Sequence, residues 1–290
     1  MTKNFTLFSL VTTLFFFLNI NYCHSQNPAY KLINDSVFNI IEDDYFKAKE
    51  NLKQIEKNHL IDPGNKLTLL QYSLKNNDLK FFKRQIKKLI KNNGFIETNK
   101  YIEDVKENKN LTEWIKEKET KLYPIWIKSN PDSYDIQNYC RDIHTRDQMR
   151  GYFYEIQRKD SNSNAKMVLR KVDRHNLSIL KQLAIKNNGI LPNNFDHGLH
   201  TSLIWQGAFL HNLCSGDIME NWNEALPYIE NTYFAGKIND GLFRLLDQQL
   251  KRYQGVQYYG FEKDTPVIDE EHLKERRKKY GFTNESSIKP

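Results

Sequence analysis

The sequence lacks the short motifs that mark the commonest catalytic sites. It contains no G-x-S-x-G, no H-E-x-x-H, no phosphate-binding Walker loop and no dinucleotide-binding fingerprint. Each of these motifs positions a nucleophile, a metal ion or a phosphate, so their absence argues against the enzyme classes that depend on them. We therefore expect no cofactor, and the motifs alone leave open whether the protein is an enzyme.

A strong metal-binding signature is also missing. The local group with plausible ligand types is Asp196-His197-x-x-His200. A zinc site needs at least three ligands at a fixed spacing, and this group does not provide that pattern. We therefore treat His197 and His200 as weak candidates and expect no metal ion.

Long apolar runs are absent except at the N-terminus. Lys3 is followed by a stretch without charge from Phe5 to Ile20, and the small residues Cys23 and Ser25 precede Gln26. A basic residue, an apolar run and small residues at a cleavage point are typical of a secretory signal. The sequence predicts a signal peptide over residues 1–25 that is removed before Gln26.

Two alternatives to a cleaved signal stay open. An uncleaved anchor would need roughly 20 apolar residues, and this run is shorter and interrupted by polar residues. A lipidated Cys23 would need small residues before it, whereas Tyr22 is bulky. We expect an exported protein, periplasmic or secreted, with no transmembrane segment after signal removal.

Cysteine is scarce, with three in the chain. Loss of Cys23 with the signal leaves Cys140 and Cys214. An oxidising compartment permits a disulfide between them. Both also lie in apolar helical segments, where an unbridged cysteine behaves as a small hydrophobic residue.

Strand patterns are missing too, because no segment sustains a two-residue alternation of β-branched and aromatic residues. The helical patterns predict an all-α protein with a Lys- and Asn-rich helical array over residues 26–130. This array has possible tetratricopeptide-like stacking. The polar sequence at residues 129–132 predicts a boundary, followed by a helical-bundle domain over residues 131–282 and a disordered tail over residues 283–290.

A series of polar and aromatic positions runs through the second part of the chain. Its members are Arg146-Asp147-Gln148 with Arg150, Asp173 and Asn176, Gly189, Trp205-Gln206-Gly207-Ala208, Asp247, Gln257-Tyr258-Tyr259-Gly260, Arg276-Arg277 and Tyr280-Gly281. In this order and spacing, residues 135–281 resemble a family of uncharacterised domains, domain of unknown function 6624. The resemblance implies a helical fold and a set of polar positions, but no reaction. The chain departs from the family pattern at Gly207, where that pattern tends to have His.

The polar members of this series form the candidate ligand site. They are Arg146, Asp147, Arg150, Asp173, Asn176, Gln206, Asp247, Gln257 and Tyr259. Asp173 and Asn176 share one face of a predicted helix, as do Arg146 and Arg150 on the predicted helix over residues 135–157. Two like charges so placed need an acid between them, which Asp173, Asp247 or an anionic ligand would provide. The alternative is an internal polar network that fixes helix register.

A basic strip lies on a predicted helix in the first part. Its cations are Lys80, Lys83, Arg84, Lys87, Lys88 and Lys91. Such a strip is either a solvated helix face or a surface for an anionic envelope polymer or lipid headgroups. We expect no aromatic residue to interleave with the charges on this helix face, and therefore no nucleic acid. The sequence favours an exported binding or interaction module, with a hydrolase-type enzyme as the alternative.

Overall fold

The computed structural model describes residues 32–59, 61–98, 102–161, 163–198, 201–214 and 216–282. The predicted signal peptide, the predicted disordered tail and His200 lie outside the described residues. Most of the described chain is helical and it contains no β-strand, so the all-α prediction is confirmed.

The described residues fall into two compact units, one up to Thr232 and the other from Tyr233 onward. The boundary predicted at residues 129–132 lies inside the first unit. There, Asn130 alone separates a helix that ends at Ser129 from one that begins at Pro131. Proline is favoured at the first position of a helix because its fixed φ already suits the helix. This polar, proline-containing sequence therefore starts a helix directly.

Among the described residues of the first unit, a π-helix at Asn34–Phe38 precedes α1 (Tyr45–Asn58), α2 (Asn65–Lys75), α3 (Leu79–Asn93), α4 (Glu103–Lys106), α5 (Lys109–Ser129), α6 (Pro131–Gln148), α7 (Arg150–Lys159), α8 (Ala165–Lys186), α9 (Asn194–His197), α10 (Thr201–Leu213) and α11 (Ile218–Phe234). The second unit contains the end of α11, α12 (Gly241–Gln254), a 3-10 turn at Glu270–His272 and α13 (Leu273–Lys279). None of the helices in the described ranges combines the length and the apolarity needed to cross a membrane.

Helix α3 shows how local sequence sets the limits of an element. The Asp78 carboxylate accepts the Phe81 N–H at 3.1 Å and so caps the first turn. Gly94 ends the helix in the left-handed conformation, with φ 60°. A Cβ at Gly94 would also lie 2.8 Å from the Trp126 ring, so both backbone and packing require glycine there.

The N-terminal helices share one core. Helix α2 packs against α1 and α3, and α3 packs against α5. The apolar stripe of each helix points into this core. The fully buried members of α1 to α3 include Ala48, Leu52, Leu69, Leu70, Phe82, Ile86, Leu89 and Ile90.

Helix α10 forms the centre of the remainder of the first unit, and its nearly uniform apolarity is typical of a buried helix. It packs against both α6 and α8. Trp205 and Phe209 of α10 are buried, and the Trp205 indole N–H donates to the Pro192 carbonyl at 2.8 Å. This packing holds the C-terminal ends of α6 and α10 against the middle of α8.

Candidate functional site

Six polar side chains from four helices form a cluster within the first unit, in which Arg146 bonds Asn176 and the other four are joined to one another. They are Arg146 and Asp147 of α6, Arg150 of α7, Asp173 and Asn176 of α8, and His211 of α10. Five of them are predicted site residues, and His211 is an addition. The cluster is built where the C-terminal end of α6 meets the middle of α8 and the C-terminal end of α10.

A break at Met149 separates α6 from α7. The sequence predicted one helix over residues 135–157, and that prediction is wrong at this residue. Met149 has φ −66° and ψ −10°, and its N–H donates to the Arg146 carbonyl at 3.3 Å. A hydrogen bond to the third residue back tightens the end of a helix. Arg146 therefore lies in the last turn of one helix, whereas Arg150 is the first residue of the next.

Asp147 and His211 form the central pair of the cluster. The Asp147 carboxylate oxygens lie 2.8 and 3.0 Å from His211 Nδ1. The Asp147 side chain is 3% exposed, whereas the His211 side chain is 46% exposed. Because Nδ1 faces a carboxylate, it carries the ring proton in the neutral imidazole, and Nε2 is the acceptor. The pair thus places a basic nitrogen at a partly open surface above a buried acid.

The environment of Asp147 favours its charged form. Burial by itself raises the pKa of this carboxyl, but the hydrogen bond and charge of His211, together with Arg150, outweigh burial and hold the pKa below its usual range. The Asp147 carboxylate is therefore a stable negative charge beneath the imidazole. It also orients the ring through Nδ1.

Arg150 joins the two buried acids of the cluster. It donates from Nη2 to Asp173 Oδ1, and its Nε lies 3.5 Å from Asp147 Oδ1. Its Nη1 also lies 3.4 Å from the Tyr154 hydroxyl, which accepts at the exposed side. Arg150 thus lies beside both buried acids, and Asp173 is the acid of its closest ion pair.

The pKa of Asp173 is displaced in the opposite direction to that of Asp147. Burial raises the pKa of Asp173, and the nearby negative charge of Asp147 adds to that rise, against the opposing charges of Arg150 and His211. Two neighbouring carboxyls with pKa values displaced in opposite directions are typical of sites that need both an acid and a base. Structural ion-pair networks also displace pKa values, so the displacement alone does not assign a reaction.

Several buried polar atoms of the cluster have no hydrogen-bond partner within the described residues. Arg146 Nε donates to Asn176 Oδ1 at 2.9 Å, but Arg146 Nη2 and Asn176 Nδ2 are unsatisfied donors. Asp173 Oδ2 is an unsatisfied acceptor. A buried polar group without a partner costs about 1–3 kcal/mol. Arg146 pairs with Asn176 and Arg150 pairs with Asp173, yet each pair leaves at least one buried polar atom without a hydrogen bond.

The surface beside His211 is open. Gly207 lies one helical turn before His211 on α10, and a Cβ built on it would meet no atom within 4 Å. Gln206, a predicted site residue, is partly exposed on the same helix, but its side chain is not part of the cluster's hydrogen bonds. The open helix surface therefore gives a molecule in solution a route to the imidazole.

The other three predicted site residues lie in the second unit. The Asp247 carboxylate accepts the backbone N–H groups of Tyr258, Tyr259 and Phe261 at 2.7–3.0 Å. The Gln257 side chain bonds the backbone of Glu262 and Thr265, and Tyr259 is a buried ring against Phe243. The hydrogen bonds of Asp247 and Gln257 therefore hold the loop after α12 in place, and these side chains do not join the cluster around His211.

The weak metal candidates and the cysteines also have defined surroundings. His197 is buried, and its Nδ1 accepts the Asn193 N–H at 3.2 Å, an interaction that fixes the loop before α10. Within the described ranges, the residues grouped closely enough to hold a metal ion are Asp269, Glu271 and His272, all exposed.

Cys140 and Cys214 do not form a disulfide; both are thiols. Burial raises the pKa of the Cys140 thiol, which keeps it protonated and unreactive.

No protein-family model, curated protein or solved structure matches this chain.

His211 and Tyr154 are the members of this region that sequence reasoning missed. His211 is the sole ionisable residue in α10, a helix that is otherwise apolar or uncharged. A polar side chain on a central helix requires a partner, and this was the available signal. The partner itself, Asp147, is 64 residues away in sequence, so no local pattern identifies it.

The acid dependence of stability tests the charge state of Asp147. Its pKa is lowered on folding, so it stabilises the fold fully above its unfolded pKa of about 3.9, and this contribution is lost as the pH falls through the lower folded value. The difference in unfolding free energy between wild type and Asp147→Asn should therefore shrink as the pH falls below about 4. Urea denaturation at several pH values measures it.

Asp142→Asn is the matched control, since Asp142 is an exposed carboxylate on the same helix. Its effect on the unfolding free energy should stay small at every pH. A difference for Asp147→Asn that does not change with pH would mean that Asp147 is not the charged partner of His211.

Proposed function

We propose that the polar cluster is the site of a hydrolase-type enzyme in which His211 is the general acid–base. The observation that carries this proposal is the buried Asp147 carboxylate on Nδ1 of a half-exposed imidazole. A positioned histidine whose second nitrogen is free to exchange protons with solvent can activate a water molecule or protonate a leaving group. Asp147 is the positioning residue that holds the ring and stabilises the imidazolium.

The remaining groups support a site for a ligand with negative charge or hydroxyl groups. Arg146, Arg150 and Asn176 provide N–H donors within the cluster, and the unsatisfied Asp173 oxygen provides an acceptor. Buried polar atoms that lack partners are costly, and they are found where a site serves a purpose other than stability. A purely structural network would be expected to satisfy them.

A kinetic experiment tests the proposal. Wild-type protein should hydrolyse at least one of 4-nitrophenyl acetate, 4-nitrophenyl phosphate and 4-nitrophenyl glycosides. His211→Gln should lower that rate by about 10²–10⁴-fold, and Asp147→Asn should lower it as well. Because imidazole is small, free imidazole should restore part of the rate to His211→Ala.

His144→Gln provides the control, because His144 is an exposed histidine on α6, the helix that carries Asp147. Its rate should equal that of wild type. Turnover that survives His211→Gln would assign the chemistry elsewhere. A wild-type protein without turnover of any probe would favour the binding-module alternative.

We also propose that residues 135–281 belong with the domain family that they resemble. Arg146, Asp147, Arg150, Asp173 and Asn176 carry much of that resemblance, and they are five of the six members of the cluster. The family pattern tends to have His at the position of Gly207, one helical turn from His211. In this chain the imidazole of α10 is supplied by His211, which supports a related site with a displaced histidine.

Export and the role of the N-terminal helices are further parts of the proposal. The N-terminal apolar run supports a cleaved signal and a periplasmic or secreted protein. Mass analysis of the mature chain should find Gln26 first, and an intact Met1 would contradict it. The successive packing of α1, α2 and α3 supports tetratricopeptide-like stacking, an arrangement suited to binding a partner.

A further inference from the structure

Helix α3 presents six cations for which the described part of the chain provides no acidic partner. They are Lys80, Lys83, Arg84, Lys87, Lys88 and Lys91, and none forms an ion pair with any described residue. Helix α3 itself contains no Asp or Glu. Lysines elsewhere in the same unit do pair, as Lys66 does with Glu56 and Lys181 with Glu224. The lack of partners is therefore a property of this face.

The charges repel one another along the helix. Lys80 and Arg84, Lys83 and Lys87, and Lys87 and Lys91 are each four residues apart, a spacing at which like charges destabilise a helix. The helix is retained because its opposite face is fully buried in the core. A polyanion laid along the strip would remove this repulsion.

An aromatic ring from the neighbouring helix enters the strip. The Trp114 ring of α5 lies 5.2 Å from Lys83 Nζ, 5.8 Å from Lys87 Nζ and 5.9 Å from Lys118 Nζ. Trp114 is half-buried, with one side packed against the core of the N-terminal helices. Helical spacing does not place Trp114 beside these charges, because Trp114 is 31 residues from Lys83 and 27 residues from Lys87 in the sequence.

The cations of α3 and the Trp114 ring together indicate which kind of molecule can bind this face. Ammonium groups bind carboxylate, sulfate or phosphate groups, and an indole provides an apolar surface with a polar edge on which a sugar ring can pack. The cations from Lys80 to Lys91 span about 17 Å of helix at 1.5 Å per residue, which is long enough for several repeating units of a chain.

A bilayer surface fits less well. Helices that lie in a membrane interface expose large apolar residues on the face that enters it. Apart from Leu79 at its first position, the large apolar residues of α3 are buried. Single-stranded nucleic acid also fits less well, because bases stack on successive exposed aromatic rings. On this face the described residues supply only Trp114 and the buried Phe81.

We propose that the face formed by the six cations of α3 and Trp114 of α5 binds a linear anionic polysaccharide. This surface is separate from the cluster around His211, and its binding does not require turnover there. Recognition combines ion pairs to the acidic groups of the polymer with packing of one sugar ring against the indole.

The test compares the binding of polygalacturonate and of neutral dextran by the full mature chain at low salt. Wild type should bind polygalacturonate, with an affinity that falls as salt rises, and should not bind dextran. Lys83→Gln/Lys87→Gln removes the two α3 cations beside Trp114 and should weaken binding by about tenfold or more. Trp114→Phe keeps the ring in the core and should weaken binding without changing the salt dependence.

Lys166→Gln/Arg170→Gln is the matched control, since it removes two exposed cations four residues apart on α8. Its affinity should stay within about twofold of wild type. Equal losses in both double variants would overturn the proposal, because net charge alone would then explain binding. Stronger binding to single-stranded oligothymidylate or to anionic phospholipid vesicles than to polygalacturonate would also overturn it.

Discussion

Arg150→Met is expected to lower the free energy of unfolding by about 3–5 kcal/mol, because it breaks a buried ion pair on one side only. The Arg150 side chain is 12% exposed and Asp173 is 1% exposed, so little solvent reaches the carboxylate that loses its partner. Asp147, the other buried acid beside Arg150, loses a positive neighbour as well. Methionine preserves most of the length of the arginine stem, so the loss reports charge and hydrogen bonding more than packing. Urea denaturation followed by circular dichroism measures the change.

Two comparisons make this result specific. Arg158→Met is the same substitution at an exposed residue of the same helix and should change the unfolding free energy by less than about 1 kcal/mol. Arg150→Met combined with Asp173→Leu should recover much of the lost stability, because an apolar pair often replaces a buried ion pair without penalty. A single variant as stable as wild type would show that the cluster is solvated and that the pair is not a buried one.

The second large effect is expected from Asp247→Ala. The Asp247 carboxylate is 0% exposed and accepts three backbone N–H groups. Each buried donor left without an acceptor costs about 1–3 kcal/mol, so the total loss should be at least about 3 kcal/mol. Because these bonds hold the loop after α12, the effect should be confined to residues of the second unit. Hydrogen exchange of the Tyr258, Tyr259 and Phe261 amides measures it directly.

Asp240→Ala provides the comparison within the same unit, since Asp240 forms a partly exposed pair with Arg244. Exposed pairs contribute about 0–1 kcal/mol, so this variant should leave the loop amides protected. Amides that remain protected in Asp247→Ala would show that other contacts hold the loop and that the carboxylate is dispensable.

Local signals predicted much of the fold. The limits of α3 follow from Asp78, whose side chain caps the first turn, and from Gly94, whose conformation ends the last one. The break at Met149 has no such signal. No proline or glycine occupies that position, and its φ is helical. Contacts of the flanking arginines with α8 accompany the break, and a pattern along one segment does not contain them.

The candidate site was predicted in part from the sequence. Helical spacing placed Asp173 beside Asn176 and suggested an arginine as partner, and both arginines do contact them. Spacing did not separate Asp247 from this group, because the order of residues in a family pattern does not say which of them meet. The backbone N–H groups that donate to Asp247 are 11–14 residues further along the chain, in the loop that follows its own helix.

Gly207 lowers the stability of α10, although the space around it would accept a larger residue. Glycine inside a helix is less favourable than alanine by about 1 kcal/mol, and an added methyl group here would meet no neighbouring atom. A chain selected for stability alone would gain by filling this position. The unfilled position lies one helical turn before His211 on the same helix face, so a side chain longer than that of alanine here would stand beside the approach to the imidazole.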